Sequence, residues 1–180
     1  MTDQSPDAAI DTDRPQDDVK RLSYLRAGHS LRSWFFTTDH KRIAILYLVS
    51  ITLFFFVGAV AAALIRLDEL TPQADLMTND GYNRAFSLHG IIMVWFFLIP
   101  SIPNVFGNFL IPLMIGARDL AFPKLNLLSW YIYVGSGLIT LYVVFGGGVD
   151  SGWTFYTPFS TLFSNSNVLL VVVCVFIVGF

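Results

Sequence analysis

The sequence predicts an all-α, polytopic bundle of membrane-spanning helices, and three observations carry the prediction. Hydrophobic residues make up 54% of the 180 and charged residues only 13%, an apolar surplus too large for a soluble domain of this length. From Ile43 to Ile65 the chain runs without a charge, enough to cross a hydrocarbon core of about 30 Å at about 1.5 Å per residue. The basic residues are sorted along the chain: nine of the eleven Lys and Arg lie before Ile43 or within 118–124, and none lies in 67–83 or 146–167.

Residues 1–33 read as a polar cytoplasmic tail, acidic at Asp3, Asp7, Asp11, Asp13, Asp17 and Asp18, then basic at Lys20, Arg21, Arg26 and Arg32. It has no apolar stretch of the signal-peptide kind, and its acids argue against an organelle transit peptide. Its basic end suits anionic lipid headgroups. Residues 34–180 form the membrane domain, whose first span covers about 43–65. The second, about 85–117, is longer than a bilayer needs and contains Pro100, Pro103 and Pro112 with Gly107. Prolines there predict kinks, tolerated where neighbouring helices bury the freed carbonyls. The third, about 125–145, carries Gly135 and Gly137 on a face where small residues let helices approach, and the run Gly146 to Gly148 ends it. A fourth apolar stretch, about 167–180, is too short to span, and its lack of a polar flank predicts the start of a further helix in a longer chain rather than a re-entrant segment. Cys174, the single cysteine, lies in this stretch, which excludes a disulfide framework or a cysteine-ligated metal and predicts a buried thiol.

The distribution of basic residues places the amino terminus and the 118–124 loop on the cytoplasmic side. Arg66, closing the first span, and His89, opening the second, then share a layer near the outer surface with Trp153. A haem fits such a layer, because iron takes an imidazole axially while Arg66, Tyr82 and Trp153 supply donors to the macrocycle's polar edge. Simpler roles stay open: His89 bonding a carbonyl, and Arg66 reaching for headgroups. At the inner end, Asp119 and Asn108 differ by eleven positions, which on a continuous helix puts them nearly in line about 16 Å apart. Asn126 lies just past the loop and Tyr47 at the inner end of the first span. A carboxylate at the mouth with amides and a phenol above it can orient a file of waters for proton entry. The alternative is a loop acid paired with Arg118 or Lys124.

Taken together, WFFTTDHKRIAILY (Trp34 to Tyr47), ALIRLDEL (Ala63 to Leu70), LHGIIMVWFFLIP (Leu88 to Pro100), FGNFLIPLMIGARDLAFPKLNLLSW (Phe106 to Trp130) and VDSGWTFYTPFS (Val149 to Ser160) resemble the opening third of subunit I of cytochrome c oxidase, over Trp34 to Phe180. The resemblance implies that His89, in the HG motif, is an axial ligand of the low-spin haem, and that Arg66 bonds the formyl group where that haem is of type a. Tyr82 and Trp153 match residues beside the propionates and formyl. Asp119 matches the entrance acid of a proton pathway, Asn108 and Asn126 its asparagines, and Tyr47 a tyrosine near its mouth. Asp68 matches an acid that helps hold a calcium or sodium ion in many members. Two positions depart from the pattern: Leu127 stands where a second asparagine is common, and Arg118 where proline is frequent.

The resemblance further implies a roughly twelve-helix haem-copper terminal oxidase of the bacterial cytoplasmic membrane. It takes electrons from cytochrome c, works with subunits II and III, and reduces oxygen to water with coupled proton translocation. The second haem, the copper and their ligands are expected beyond Phe180, so this segment alone would be inactive. Nothing points to a nucleic-acid partner. A quinol oxidase of the same superfamily is the near alternative; a nitric oxide reductase lacks the aspartate–asparagine set. A non-catalytic haem-carrying electron-transfer subunit, or a channel built on the Asp119 row, is the distant one.

Overall fold

The computed structural model describes residues 30–73, 76–164, 166 and 168–179. Most of the tail read at 1–33 therefore lies outside the described residues. The elements are α1 (Leu31–Phe35), α2 (His40–Asp68), α3 (Asn79–Ile91), α4 (Asn108–Met114), α5 (Pro123–Phe145) and α6 (Val168–Val178), with π-helical segments at Ile92–Leu98, Ser101–Gly107 and Phe159–Phe163. The described residues contain no strand. Three helices are long and apolar enough to cross a membrane: His40–Asp68, the continuous Asn79–Met114, and Pro123–Val144. The protein is a multi-pass membrane protein.

Local chemistry sets the helix ends. The Asp39 side chain accepts from the Lys41 N–H at 2.8 Å and starts α2. Arg66 falls in its last turn, where a cation suits the negative end of the helix dipole. Thr78 caps α3 by accepting from the Gly81 N–H at 3.1 Å, and Pro123 opens α5 at a position that needs no N–H. The second crossing begins earlier than the apolar count suggested, at Asn79, because the polar first turn is capped, and it ends at Met114 rather than near 117.

Prolines shape that second crossing. Pro100 has no N–H for the Phe96 carbonyl one turn back, and the helix there opens into π-helical turns instead of breaking. The Phe96 carbonyl accepts from the Tyr133 hydroxyl of α5 at 2.6 Å, and the Phe97 carbonyl accepts from Ser101 Oγ. Buried backbone acceptors thus find partners on neighbouring groups, as a low-dielectric setting requires.

The core lies where α2, the first π-helical segment and α5 meet. Phe54, Phe96 and Tyr133 pack ring to ring, at 5.1 Å for Phe54–Phe96 and 5.7 Å for Phe54–Tyr133 between centroids. Gly137 permits this contact, since a Cβ there would fall 2.1 Å from Phe54 Cζ. Gly135 plays no such part, for nothing lies within 4 Å of its Cβ position. Against the other side of α5 lies α6, joined by Ser136 Oγ donating to the Cys174 carbonyl at 2.8 Å, with the Cys174 thiol free and buried.

Candidate functional site

Candidate residues gather at the two ends of the bundle. Nearly three turns in from the end where α2 finishes and α3 begins, His89 Nδ1 lies 2.9 Å from the Gly58 carbonyl oxygen of α2. A carbonyl only accepts, so the ring proton sits on Nδ1 and Nε2 carries the free lone pair. His89 is half-buried. The next residue, Gly90, is covered by Trp153: a Cβ at Gly90 would stand 2.6 Å from Trp153 Cδ1. The loop bearing Trp153 is tied to α3 by the Gly152 N–H donating to Ser87 Oγ at 2.8 Å. His89 and Trp153 are thus brought to one place by α3 and the loop after α5.

Arg66 and Tyr82 meet through an acid that sequence reasoning missed. Tyr82 donates to Glu69 Oε1 at 2.7 Å, and Arg66 pairs with Glu69 Oε2 at 3.7 Å. The Arg66 side chain is 82% exposed, so it remains available to partners outside the chain. Asp68 is buried and accepts the Met77 N–H at 2.8 Å, which fixes the return loop. Among the described residues no group of three or more His, Cys, Asp or Glu is arranged to hold a metal ion.

The opposite end holds the second set. Asp119 lies past the end of α4, not in helical line with Asn108, because the helix stops at Met114. Its partner is neither Arg118 nor Lys124 but His40, whose Nδ1 is 2.9 Å from Asp119 Oδ1. The same oxygen accepts the Leu120 N–H at 2.8 Å. His40 is buried and Asp119 more open to water. Beyond this pair, Asn126 Nδ2 donates to Asn108 Oδ1 at 2.5 Å, and Asn108 Nδ2 to the Asn104 carbonyl at 2.6 Å. Ser129 Oγ donates to the Asn126 carbonyl at 2.7 Å and lies 2.8 Å from the Tyr47 hydroxyl. A cavity of about 260 Å³ follows, lined in part by Tyr47, Asn104, Ser129 and Tyr133. Asn108, Asn126 and Tyr47 therefore belong to one hydrogen-bonded cluster, and the His40–Asp119 pair lies at the same end of the bundle. The arrangement is an acid open to water with a buried imidazole beside it, and amides and hydroxyls further into the bundle. Such a set can accept protons and relay them. His40, Ser129, Glu69 and Tyr133 were not singled out from the sequence; His40 and Asp119 are 79 residues apart, and only the fold joins them.

Comparison with known proteins agrees with these motifs. The family described as Cytochrome C and Quinol oxidase polypeptide I matches residues 42–180. A cytochrome c oxidase subunit 1 of Thermostichus vulcanus is 37% identical over 144 residues, covering 80% of this chain and 26% of that protein. A protein of Aeropyrum pernix named "Heme-copper oxidase subunit I+III" is 43% identical over 129 residues, 69% of this chain and 16% of its own length. One of Staphylococcus aureus named "Probable quinol oxidase subunit 1" is 41% identical over 145 residues, 79% of this chain and 22% of its own. The chain spans about a quarter of the length of the curated relatives it matches.

Proposed function

Because the chain belongs to the cytochrome c and quinol oxidase polypeptide I family, we propose that it is the part of a respiratory oxidase's catalytic subunit that ligates one haem and admits protons. The complete oxidase reduces oxygen to water with electrons from cytochrome c and translocates protons. The observation that carries this reading is the His89 Nδ1 bond to the Gly58 carbonyl at 2.9 Å. It is the orienting bond a metal-ligating imidazole uses, leaving Nε2 for iron. A low-spin haem, expected to be haem a, supplies one-electron transfer when bound there. The chain's own groups would hold it at this end: His89 would ligate the iron through Nε2, while Arg66, Tyr82 and Trp153 would offer guanidinium, phenol and indole donors to the haem's polar edge. Asp68 holds the return loop, and its remaining oxygen is what a calcium or sodium ion would use.

At the other end Asp119, with His40 beside it, collects protons from the cytoplasm, and waters ordered by Asn126, Asn108 and Tyr47 carry them inward. The second haem and the copper come from the remainder of the subunit, with subunits II and III as partners; the name of the Aeropyrum pernix relative supports the last. The chain lies in a bacterial cytoplasmic membrane with its amino terminus inside, supported by the basic residues at that end. The name of the Staphylococcus aureus relative favours quinol as a second reading of the donor. Oxygen uptake with reduced cytochrome c against uptake with a quinol decides between the two. The central test is His89→Leu in the complete subunit. The low-spin haem band is expected to disappear, because one axial imidazole is lost. A band of wild-type intensity would overturn the assignment.

A further inference from the structure

We propose that Tyr133 is a further positioning residue of the inner proton route, its phenol oxygen holding a water in the cavity beyond the Asn108–Asn126 pair. The proposal rests on the reading of Asp119, Asn108 and Asn126 as that route.

Hydrogen counting at the cavity wall carries the argument. Tyr133 is 2% exposed, and its one hydroxyl hydrogen goes to the Phe96 carbonyl at 2.6 Å. Pro100 supplies that carbonyl no N–H from the residue four further on, and the Tyr133 hydroxyl donates to it instead. Ser129 spends its single hydrogen on the Asn126 carbonyl at 2.7 Å, so in the 2.8 Å contact between Tyr47 and Ser129 the phenol must be the donor. Both phenols therefore turn only lone pairs toward the cavity of about 260 Å³ that they line. Tyr47 is 1% exposed, so neither oxygen is open to bulk water. The space is large enough for water, and Tyr47, Asn104, Ser129 and Tyr133 on its wall supply the polar partners a buried water needs. A water there points its hydrogens at Tyr133 and Tyr47. Its oxygen is left to take a proton arriving from the asparagine pair. Transfer proceeds by exchange of O–H bonds along the waters, each accepting one proton and releasing another, and Tyr133 keeps its own hydrogen on Phe96 throughout.

The cavity's place along the route supports this. Asn104 lies one helical turn beyond Asn108, and Ser129 one turn beyond Asn126, each on the side away from Asp119. Tyr133 is one further turn along α5.

The test uses the complete oxidase carrying this chain. Tyr133→Phe keeps the ring against Phe54 and Phe96 and removes only the oxygen. Haem spectra are expected to be unchanged, oxygen uptake per haem to fall about fivefold, as for loss of one hydrogen bond at a transfer step, and its solvent deuterium isotope effect to rise. A purely structural Tyr133 would act through the bare Phe96 carbonyl, and Pro100→Ala returns an N–H to it. In the Tyr133→Phe/Pro100→Ala double variant, recovered thermal stability with turnover still low supports the proposal. Recovered turnover overturns it. Should Tyr133→Phe alone fail to assemble, the double variant carries the same comparison. Wild-type turnover and isotope effect in Tyr133→Phe would also overturn it. Asp119→Asn is measured alongside: if it is slow while Tyr133→Phe is normal, only the proposal falls, and if it too is normal, the proton-route reading falls and the proposal with it.

Discussion

His89 reaches the Gly58 carbonyl because α2 presents bare backbone to α3 at that point. A Cβ on Gly58 would stand 2.9 Å from Met93 Sδ and 3.2 Å from Ile92 Cγ2. Met93 is flexible and its thioether can swing aside, so Gly58→Ala is expected to be tolerated in stability while disturbing the bond that orients His89. Gly90 is different, because the neighbour at 2.6 Å is the ring of Trp153, which cannot yield without moving its loop. Gly90→Ala should therefore cost about 1–3 kcal/mol and lower the temperature at which the complete oxidase loses its haem spectrum, more than Gly58→Ala does. Equal melting temperatures for the two variants would remove the argument from Trp153. Arg66 does not share the layer the sequence predicts with His89: it lies eight residues, about 12 Å, beyond Gly58 along α2. Arg66→Met should leave the haem bound while shifting its absorption or potential, since groups around a cofactor tune more than they hold. An unchanged spectrum and potential would return Arg66 to headgroup contact.

The elements show where sequence reasoning stops. Prolines at 100, 103 and 112 are visible in the sequence and do predict an irregular crossing. The π-helical form and the hydroxyl donor to the Phe96 carbonyl are not visible, because Tyr133 is 37 residues away in the chain. The two glycines of α5 look alike in sequence, yet only Gly137 meets a neighbour, since the face that packs depends on where Phe54 of α2 arrives. Asp119 was placed in line with Asn108 by extending a helix that in fact ends at Met114. Motif-bearing residues were thus legible by type, while their partners, His40, Glu69 and Ser129, needed the fold. The α2–α3 return gives a test of an element's own chemistry. Asp68 is buried and accepts the Met77 N–H at 2.8 Å. Asp68→Ala leaves that donor bare and should cost about 1–3 kcal/mol, whereas Asp68→Asn keeps an acceptor and should cost less, as thermal melts of the two variants will show. If the Asn variant is as unstable as the Ala variant, the carboxylate's charge matters beyond the loop.

At the scale of the molecule, the bundle joins two polar ends through an apolar middle, and parts of its surface await neighbours. Trp95 Nε1 is buried without a partner among the described residues, beside a cavity of about 570 Å³ shared with Trp153, Phe155 and α6. Buried donors of this kind are rarely left bare. The two ends can nonetheless be separated by experiment, because they share no residue. Asp119→Asn keeps an oxygen to accept from the Leu120 N–H and to meet His40, so the loop and the bundle should be preserved. What it removes is the carboxylate that, on the proposed reading, takes up and releases a proton at the mouth. In the complete oxidase both haems should assemble and be reduced normally, since Gly58, which the His89 ring bonds, lies about 27 Å along α2 from His40. Oxygen uptake should fall by about ten- to a hundredfold, the scale of losing a positioned proton-transfer group, and proton release should be lost with it. Asn126→Asp makes the complementary change: it adds a carboxylate within the row and should disturb proton release more than oxygen uptake, because a new charge alters the proton affinity of its neighbours without blocking the waters. Both quantities are to be measured on the same vesicles. Normal turnover with normal proton release in Asp119→Asn would reduce the His40–Asp119 pair to a clasp between α2 and the α4–α5 loop.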